Sequence, residues 1–97
     1  MRGKRAAHLR SKLFTPREQA YCMRFTDFAS HLAGTFAAKE AAFKALGCDE
    51  LFTEFEIRRD KRGKPEVWKK GRRVPSLALS ISHEGAFAIA IAARYGI

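Results

Sequence analysis

The spacing of apolar residues changes at Gly47, and this change limits the folds open to the 97-residue chain. Before it, Leu32, Phe36, Phe43 and Leu46 recur at intervals of three, four and seven residues, which is typical of an amphipathic helix. After it, side chains alternate between large and small or polar, which indicates strands. Gly47 itself suits the end of a helix. The order predicts an α+β domain in which two helices pack on a small antiparallel sheet of about four strands.

The start of the first of these helices is marked by three residues. Thr15 can cap a helix, Pro16 suits the first helical position, and Glu18 completes a capping box. This helix is predicted to end at about residues 25 to 28. The second helix is predicted to begin at residues 30 to 32 and to end at residue 46.

Four segments after Gly47 have the character of strands: residues 55–58, 65–69, 77–82 and 86–92. The sequences "DKRGKP", "KKGRR" and "HEG" (83–85) are predicted to form the turns between them. Each of the last two strands has one face of large and one face of small side chains. This pattern predicts a hairpin covered on both faces, with a helix against the small residues and a core or subunit interface against the large ones.

Composition places the chain among small globular proteins, as one domain over residues 1–97. No apolar run reaches the length of a membrane span, and the basic N-terminus lacks the apolar region of a secretory signal. Cys22 and Cys48 lie far apart, without a CxxC pattern, which favours two free thiols in a reducing compartment and so a cytoplasmic location. The N-terminal arm is expected to be partly unfolded in isolation.

The net charge of +9 predicts an anionic partner. Nucleic acid, a phosphorylated small molecule and an acidic protein all satisfy it. The basic clusters are not interleaved with aromatic residues, and no known nucleic-acid motif is present, so a small nucleic-acid-binding protein is the least favoured of these hypotheses.

Glu40 and Lys44 are four residues apart and therefore share one face of the second predicted helix. Taken alone, they predict a surface ion pair that contributes little to stability. Phe36 and Phe43 flank Glu40, however, and a carboxylate at the edge of an apolar stripe needs a partner, either Lys44 or a metal ion. Lys39 points in a different direction, and we interpret it as solvated.

Two shorter motifs are weak when taken alone. Ser82 and His83, at the end of a predicted strand, can both donate to an anion, but a histidine satisfied within a turn is the more ordinary interpretation. Lys64 and Pro65 belong to "GKP", which by itself is an ordinary basic turn.

Together these segments resemble one family. "LAGTFAAKEAAFKALG", "FEIRRDKRGKP" and "LSISHEGAFAIAIA" follow one another as in the holo-acyl-carrier-protein synthase group of 4'-phosphopantetheinyl transferases, and "LFTPRE" resembles the segment that precedes them. The resemblance covers about residues 9 to 93. It implies Mg²⁺-dependent transfer of 4'-phosphopantetheine from coenzyme A to a serine of apo-acyl carrier protein, with release of adenosine 3',5'-bisphosphate. It also implies a homotrimer with active sites between subunits.

The resemblance implies roles for individual residues. Glu40 matches the family's metal-binding glutamate, and Lys44 matches its active-site lysine. Lys64 and Pro65 match the segment at the adenosine end of the coenzyme. Ser82 and His83 match the residues near the adenosine 3'-phosphate. Either Glu40 or a metal-bound water is the base that removes the serine proton. The carrier, from fatty acid or polyketide biosynthesis, is expected to dock on basic residues near the first helix: Arg5, Arg10, Lys12 and Arg17. The alternative is that these four are solvated charges.

The chain departs from the family pattern at two places. Relatives begin with a strand whose "GxDxxxI"-like motif supplies a second metal-binding aspartate, whereas this chain begins "MRGKRAAHLR". Thr35 stands where many relatives carry an arginine. With Glu40 alone, Mg²⁺ affinity is expected to fall. Three explanations stay open: a longer gene product, which we favour, a shortened paralogue of low activity, or a strand supplied by another chain. A non-catalytic paralogue that binds coenzyme A or carrier protein is the main functional alternative.

Overall fold

The computed structural model describes residues 3–47, 51–84 and 87–95. These residues form α1 (Gly3–Leu13), α2 (Pro16–Cys22), α3 (Phe28–Leu46), a 3₁₀ turn (Phe52–Glu54), β1 (Phe55–Arg59), β2 (Pro65–Lys69), β3 (Arg72–Arg73), β4 (Leu77–Glu84) and β5 (Phe87–Arg94). The predicted α+β class is confirmed. The strands, however, divide into two antiparallel sheets, β1-β2-β3 and β4-β5, instead of one. No helix in the described residues is long and apolar enough to cross a membrane.

Helix α1 occupies the segment that was expected to be partly unfolded. Its sequence is rich in alanine, leucine, lysine and arginine, which all have high helix propensity. Most of its described side chains are exposed. Its C-terminal end is fixed because the next residue, Phe14, is buried and donates its backbone N–H to the Arg10 carbonyl at 2.8 Å.

The predicted capping box at the start of α2 is confirmed. The Thr15 hydroxyl accepts the Glu18 N–H at 3.2 Å, and a Glu18 carboxylate oxygen accepts the Thr15 N–H at 2.9 Å. Helix α2 ends at Cys22, earlier than predicted, and α3 begins at Phe28, also earlier than predicted. The buried Cys22 thiol is free, whereas Cys48 lies outside the described residues.

Gly47 ends α3 in the left-handed conformation, at φ 62°, as the sequence predicts. Its N–H donates to the carbonyls of Phe43 and Lys44. The apolar face of α3 packs against both sheets. The core between them is formed by Ala38, Ala42, Phe55, Ile57, Val67, Leu77 and Leu79. Helix α3 therefore packs against both hairpins and connects them through one core.

The β1–β2 hairpin has the predicted turn. The Asp60 carboxylate accepts the backbone N–H groups of Arg62 and Lys64 at 2.8 and 2.9 Å, and Gly63 takes a positive φ of 85°. These contacts close the turn and bring the "GKP" segment beside the end of β1, where Pro65 pairs with Arg59.

The β4–β5 hairpin combines large and small residues on the same face. Leu79 pairs with Ala92 and Ile81 with Ala90, so these two large residues of β4 lie beside small residues of β5. This differs from the predicted division into one large and one small face, because residues directly opposite in an antiparallel pair share a face. The predicted "HEG" bend is also displaced, since His83 and Glu84 still belong to β4; residues 85 and 86 lie outside the described residues.

The outer face of this hairpin, turned away from α3, is apolar and exposed. Phe87, Ile89 and Ile91 retain 77%, 64% and 65% of their accessible surface. Their β4 neighbours are small or polar, with Ser80 opposite Ile91 and Ser82 opposite Ile89. Within one chain, therefore, the hairpin is covered on only one of its two faces.

Candidate active site

A buried ion pair joins α2, α3 and β1. The Lys39 ammonium lies 2.8 Å from a carboxylate oxygen of Glu18, and both side chains are fully buried. The other Glu18 oxygen accepts the backbone N–H of Ile57 at 2.7 Å. Burial raises the pKa of Glu18 and lowers that of Lys39, and the attraction between the two charges opposes both shifts.

The interpretation of Lys39 as a solvated side chain is wrong. In an α-helix, Lys39 shares a face with residues four before and three after it, Thr35 and Ala42, and both are buried. That face is turned toward Glu18, which sequence spacing does not reveal because the two residues lie 21 positions apart.

Glu40 and Lys44 lie on the solvent side of the same helix. Both are exposed, and neither takes part in an ion pair or hydrogen bond among the described residues, so the predicted surface ion pair does not form. Phe36 and Phe43 flank Glu40 and pack on Phe52, with ring centroids 5.7 and 5.6 Å apart. The Glu40 carboxylate therefore stands at the edge of an aromatic cluster and is available to a cation.

Within the described part of the chain, Glu40 is the carboxylate on which a metal site at this end of α3 can be argued. Among residues 3–47, 51–84 and 87–95, no group of three or more histidine, cysteine, aspartate or glutamate side chains could hold a metal ion. Mg²⁺ commonly takes only one or two protein carboxylates and completes its shell with phosphates and waters. An exposed carboxylate without a protein partner fits one position in such a shell.

Ser82 and His83 point to opposite faces of β4, as neighbours on a strand do. Ser82 faces outward beside Ile89, whereas His83 faces α3, where its ring meets the His31 ring at a centroid distance of 4.8 Å. A Cβ at Gly34 would lie 3.3 Å from the His83 ring. The close approach of α3 at this glycine therefore helps to seat the imidazole, and within one chain the two predicted anion donors do not converge.

A basic cleft of about 640 Å³ lies between α2 and the β1–β2 turn. Its cations are Arg17, Arg24, Arg58, Arg59 and Lys61, and its aromatic residues are Tyr21, Phe25 and Trp68. Asp60 and Glu66 are its only carboxylates among the described lining residues, so positive charge predominates. Flat aromatic rings beside guanidinium groups suit a planar anionic ligand such as a nucleotide.

Not all of these cations are available to a ligand. Arg17 and Arg58 lie 3.5 and 2.6 Å from a Glu56 oxygen. Partial burial acts to raise the pKa of Glu56. The hydrogen bond from Thr15 and the charges of these two guanidiniums outweigh burial, and the pKa is lowered. Arg24 and Arg59, by contrast, pair with no carboxylate in the described residues.

Arg24 and Arg59 both line the cleft and both lie beside the ring of Tyr21. Their guanidinium carbons lie 5.4 and 5.3 Å from the centre of the Tyr21 ring. Arg59 also donates to the Gly63 carbonyl at 3.3 Å, and the exposed Lys64 and half-buried Pro65 follow at the edge of the cleft. The "GKP" segment and the two guanidiniums therefore belong to one surface.

This cleft continues to His83 through a row of rings. The Phe25 ring stacks on His31 at 3.7 Å, and Tyr21 lies 5.2 Å from Phe25. His31 then contacts His83. Sequence reasoning missed Tyr21, Arg24, Phe25, His31 and Arg59, because their only local signal is an ordinary mixture of basic and aromatic residues.

Glu40 lies far from this cleft within a single chain. Nine residues separate it from His31 on the same helix. A regular α-helix places residues nine apart about 13.5 Å along its axis and about 180° around it. The Glu40–Lys44 pair and the His31–His83 pair therefore occupy opposite sides of α3.

The four basic residues predicted for carrier binding are spread over α1 and α2. Arg5 and Lys12 are exposed and Arg10 is half-buried on α1. Arg17, in the first turn of α2, pairs with Glu56, although its side chain remains 65% exposed. Thr35, where an arginine was expected, is buried, and its hydroxyl donates to the His31 carbonyl at 2.8 Å.

Comparison with known proteins decides the family. The family model described as the 4'-phosphopantetheinyl transferase superfamily matches residues 1–92. The chain belongs to this superfamily. Among its relatives, the holo-[acyl-carrier-protein] synthase of Halothermothrix orenii is 41% identical over 91 residues, covering 82% of this chain and 73% of the relative. The synthase of Trichlorobacter lovleyi is 42% identical over 94 residues, covering 84% and 75%.

Solved structures of the superfamily share the fold. The Helicobacter pylori holo-[acyl-carrier-protein] synthase in complex with coenzyme A has a TM-score of 0.79 and 25% identity, covering 97% of this chain and 87% of the other. The Bacillus anthracis synthase in complex with coenzyme A (3',5'-ADP) has a TM-score of 0.72 and 32% identity, covering 90% and 79%. The resemblance inferred from the sequence motifs is thus confirmed.

Proposed function

We propose that this phosphopantetheinyl transferase moves 4'-phosphopantetheine from coenzyme A to a serine of apo-acyl carrier protein, with Mg²⁺, and releases adenosine 3',5'-bisphosphate. The observation that carries the proposal is the Glu40 carboxylate, which pairs with no cation in the described part of the chain and lies one helical turn from Lys44. Membership of the superfamily and the names of the relatives support the same activity.

The basic cleft is our candidate for the adenosine end of coenzyme A. A phosphorylated nucleoside needs a flat apolar surface for its base and cations for its phosphate, and Tyr21 with Arg24 and Arg59 offers both. Lys64 and Pro65 lie at its edge, and His83 lies beyond His31. The H. pylori synthase, which is similar to this chain, is a complex with coenzyme A, and this supports coenzyme A as the ligand.

Glu40 and Lys44 are our candidates for the residues at the diphosphate. A bound Mg²⁺ would neutralise charge that builds on the diphosphate as the bond to phosphopantetheine breaks. Glu40 would hold that cation by one oxygen. Lys44, on the same face of α3, would add a point charge to the phosphates. The proton of the attacking serine would pass to Glu40 itself or to a water held by that cation.

We further propose that the enzyme is a homo-oligomer, with a trimer as the specific expectation. Two features support this. The two halves of the site lie on opposite sides of α3, so one chain cannot bring them to the same coenzyme. The outer hairpin face formed by Phe87, Ile89 and Ile91 is the kind of apolar surface that a second subunit covers.

Replacing Ile91 by aspartate is therefore expected to dissociate the oligomer. A carboxylate at the centre of an apolar interface would be buried without a partner, which costs several kcal/mol. Sedimentation equilibrium should report a smaller species, and transfer should be lost with it. Ala7→Asp, on the exposed surface of α1, is the matched control for the oligomeric state, because it adds the same carboxylate outside the hairpin. An Ile91→Asp protein with unchanged mass and activity would contradict the proposed interface.

The acidic carrier protein is proposed to dock on α1 and the start of α2, through Arg5, Arg10, Lys12 and Arg17. Three of these side chains are exposed and that of Arg10 is half-buried, and with the net charge of +9 they support an acidic partner. Fatty acid biosynthesis in the cytoplasm is the setting that the family resemblance implies.

The test of the proposed function is transfer of labelled phosphopantetheine from coenzyme A to apo-acyl carrier protein, with and without Mg²⁺. We expect label on the carrier protein only with Mg²⁺. Coenzyme A binding without transfer, under conditions in which a relative such as the H. orenii synthase is active, would favour the non-catalytic paralogue. Binding to nucleic acid that weakens steeply with salt and is indifferent to coenzyme A would favour the remaining alternative.

A further inference from the structure

The strongest unassigned feature is the cluster of charged and aromatic groups around His31. This residue lies in the first turn of α3, between the basic cleft and His83. The groups that face it come from four parts of the chain: Asp27 at the start of α3, Tyr21 from α2, Arg59 from β1 and His83 from β4. Arg24 lies one ring further out, beside Tyr21. The charged or titratable members therefore include four basic groups, His31 among them, and one carboxylate.

The position of the His31 ring is set by its neighbours. One face stacks on Phe25 at 3.7 Å, and the His83 ring meets it edge-on at 4.8 Å. The ring is only partly buried. Two imidazoles held this close beside the Arg59 guanidinium repel one another when charged, so positive charge outweighs the single Asp27 carboxylate at this corner of the molecule.

We propose that His31 is a phosphate-binding residue of the coenzyme site and takes up a proton from solvent when a phosphomonoester binds there. The inference rests on the proposed function in taking that phosphomonoester to be the adenosine phosphate of coenzyme A. The start of a 19-residue helix adds its own attraction for an anion to that of the side chains.

The direction of the proton movement follows from electrostatics. In the free protein, partial burial and the charges of His83 and Arg59 lower the pKa of His31, against the opposing effect of Asp27. A phosphate dianion favours the imidazolium and raises that pKa. The phosphomonoester therefore binds more tightly as the pH falls through the pKa that His31 has in the complex. Above that pKa, His31 is neutral in both states and adds no charge to binding. The second pKa of a phosphomonoester is about 6, and above it the phosphate is a dianion. The measurement is therefore made between pH 6.5 and 8.

The experiment is a pH titration of the histidine ring protons by NMR, with the His31 signal assigned from a His31→Gln protein. Ligands are coenzyme A, 3'-dephospho-coenzyme A and inorganic phosphate. We expect coenzyme A to raise the His31 pKa and dephospho-coenzyme A to leave it unchanged. Calorimetry in buffers of different ionisation heat should detect proton uptake with coenzyme A.

Binding to the variant provides a second measurement. His31→Gln retains a hydrogen-bond donor but cannot be charged, so coenzyme A should bind about tenfold more weakly at pH 6.5, with a smaller loss at pH 8. His8→Gln, on exposed α1, should bind as the unchanged protein does.

The outcomes separate this inference from the proposed function. Coenzyme A that binds without moving the His31 pKa overturns the inference and leaves the function standing. Inorganic phosphate that raises the His31 pKa in a protein that does not bind coenzyme A supports the inference and contradicts the function. A His31 pKa that responds to neither ligand overturns the inference.

Discussion

Replacing Glu40 by glutamine should lower Mg²⁺-dependent transfer by at least about 100-fold and leave the fold intact. Glutamine has nearly the same volume but no charge, so it is a poor ligand for a hard cation. The side chain is exposed and has no protein partner in the described residues, so stability should change by no more than about 0.5 kcal/mol.

Transfer rates at increasing Mg²⁺ concentration provide the measurement, and circular dichroism during urea unfolding provides the stability. Glu54→Gln is a matched control, because the Glu54 carboxylate accepts only the Leu51 N–H, which an amide oxygen can still accept. A Glu40→Gln protein that unfolds, or that transfers at the normal rate, would show that this carboxylate does not hold the metal.

Replacing Lys39 by methionine should lower the free energy of unfolding by about 3 to 5 kcal/mol, the usual cost of leaving a buried charge without its partner. Glu18 would keep its hydrogen bonds to the backbone of Thr15 and Ile57 but lose its ammonium partner. For a domain whose total stability is about 5 to 15 kcal/mol, this is a large fraction.

Lys44→Met is the matched control, since it is the same substitution on the same helix at an exposed position. It should change stability by no more than about 0.5 kcal/mol, while transfer falls because a cation at the phosphates is lost. Equal stabilities of the two methionine variants would contradict the importance of the buried pair.

Two further observations test the cause of the Lys39 effect. Adding Glu18→Gln to Lys39→Met should restore part of the lost stability, because no buried carboxylate is then left unpaired. In Lys39→Met itself, burial raises the pKa of Glu18 further above its unfolded value. A raised acid pKa stabilises the fold at low pH and loses that contribution as pH rises, so Lys39→Met should be least destabilised on the acid side.

Features determined by neighbouring residues could be predicted from the sequence. The Thr15–Glu18 capping box spans four residues, and Gly47 in its left-handed conformation ends the helix that it directly follows. The common face of Glu40 and Lys44 likewise follows from their spacing of one helical turn. In each case the deciding interaction lies within four residues.

Features that depend on distant segments could not be predicted. Whether the Lys39 side of α3 is solvated depends on Glu18, 21 residues away. The contact between His31 and His83 joins residues 52 positions apart. The register of β5 on β4, which places Ala92 and not Ile91 beside Leu79, is a property of the pair and of neither strand alone.

The three interactions of the Glu18 carboxylate also affect local unfolding of the domain. One carboxylate caps a short helix, neutralises a lysine of another, and holds the amide of Ile57 in the first strand. If any of these segments detached, at least one polar group of the others would stay buried without its hydrogen-bond partner. Local fraying at this junction is thus disfavoured, and the Ile57 amide should exchange its hydrogen with solvent only when the whole domain unfolds.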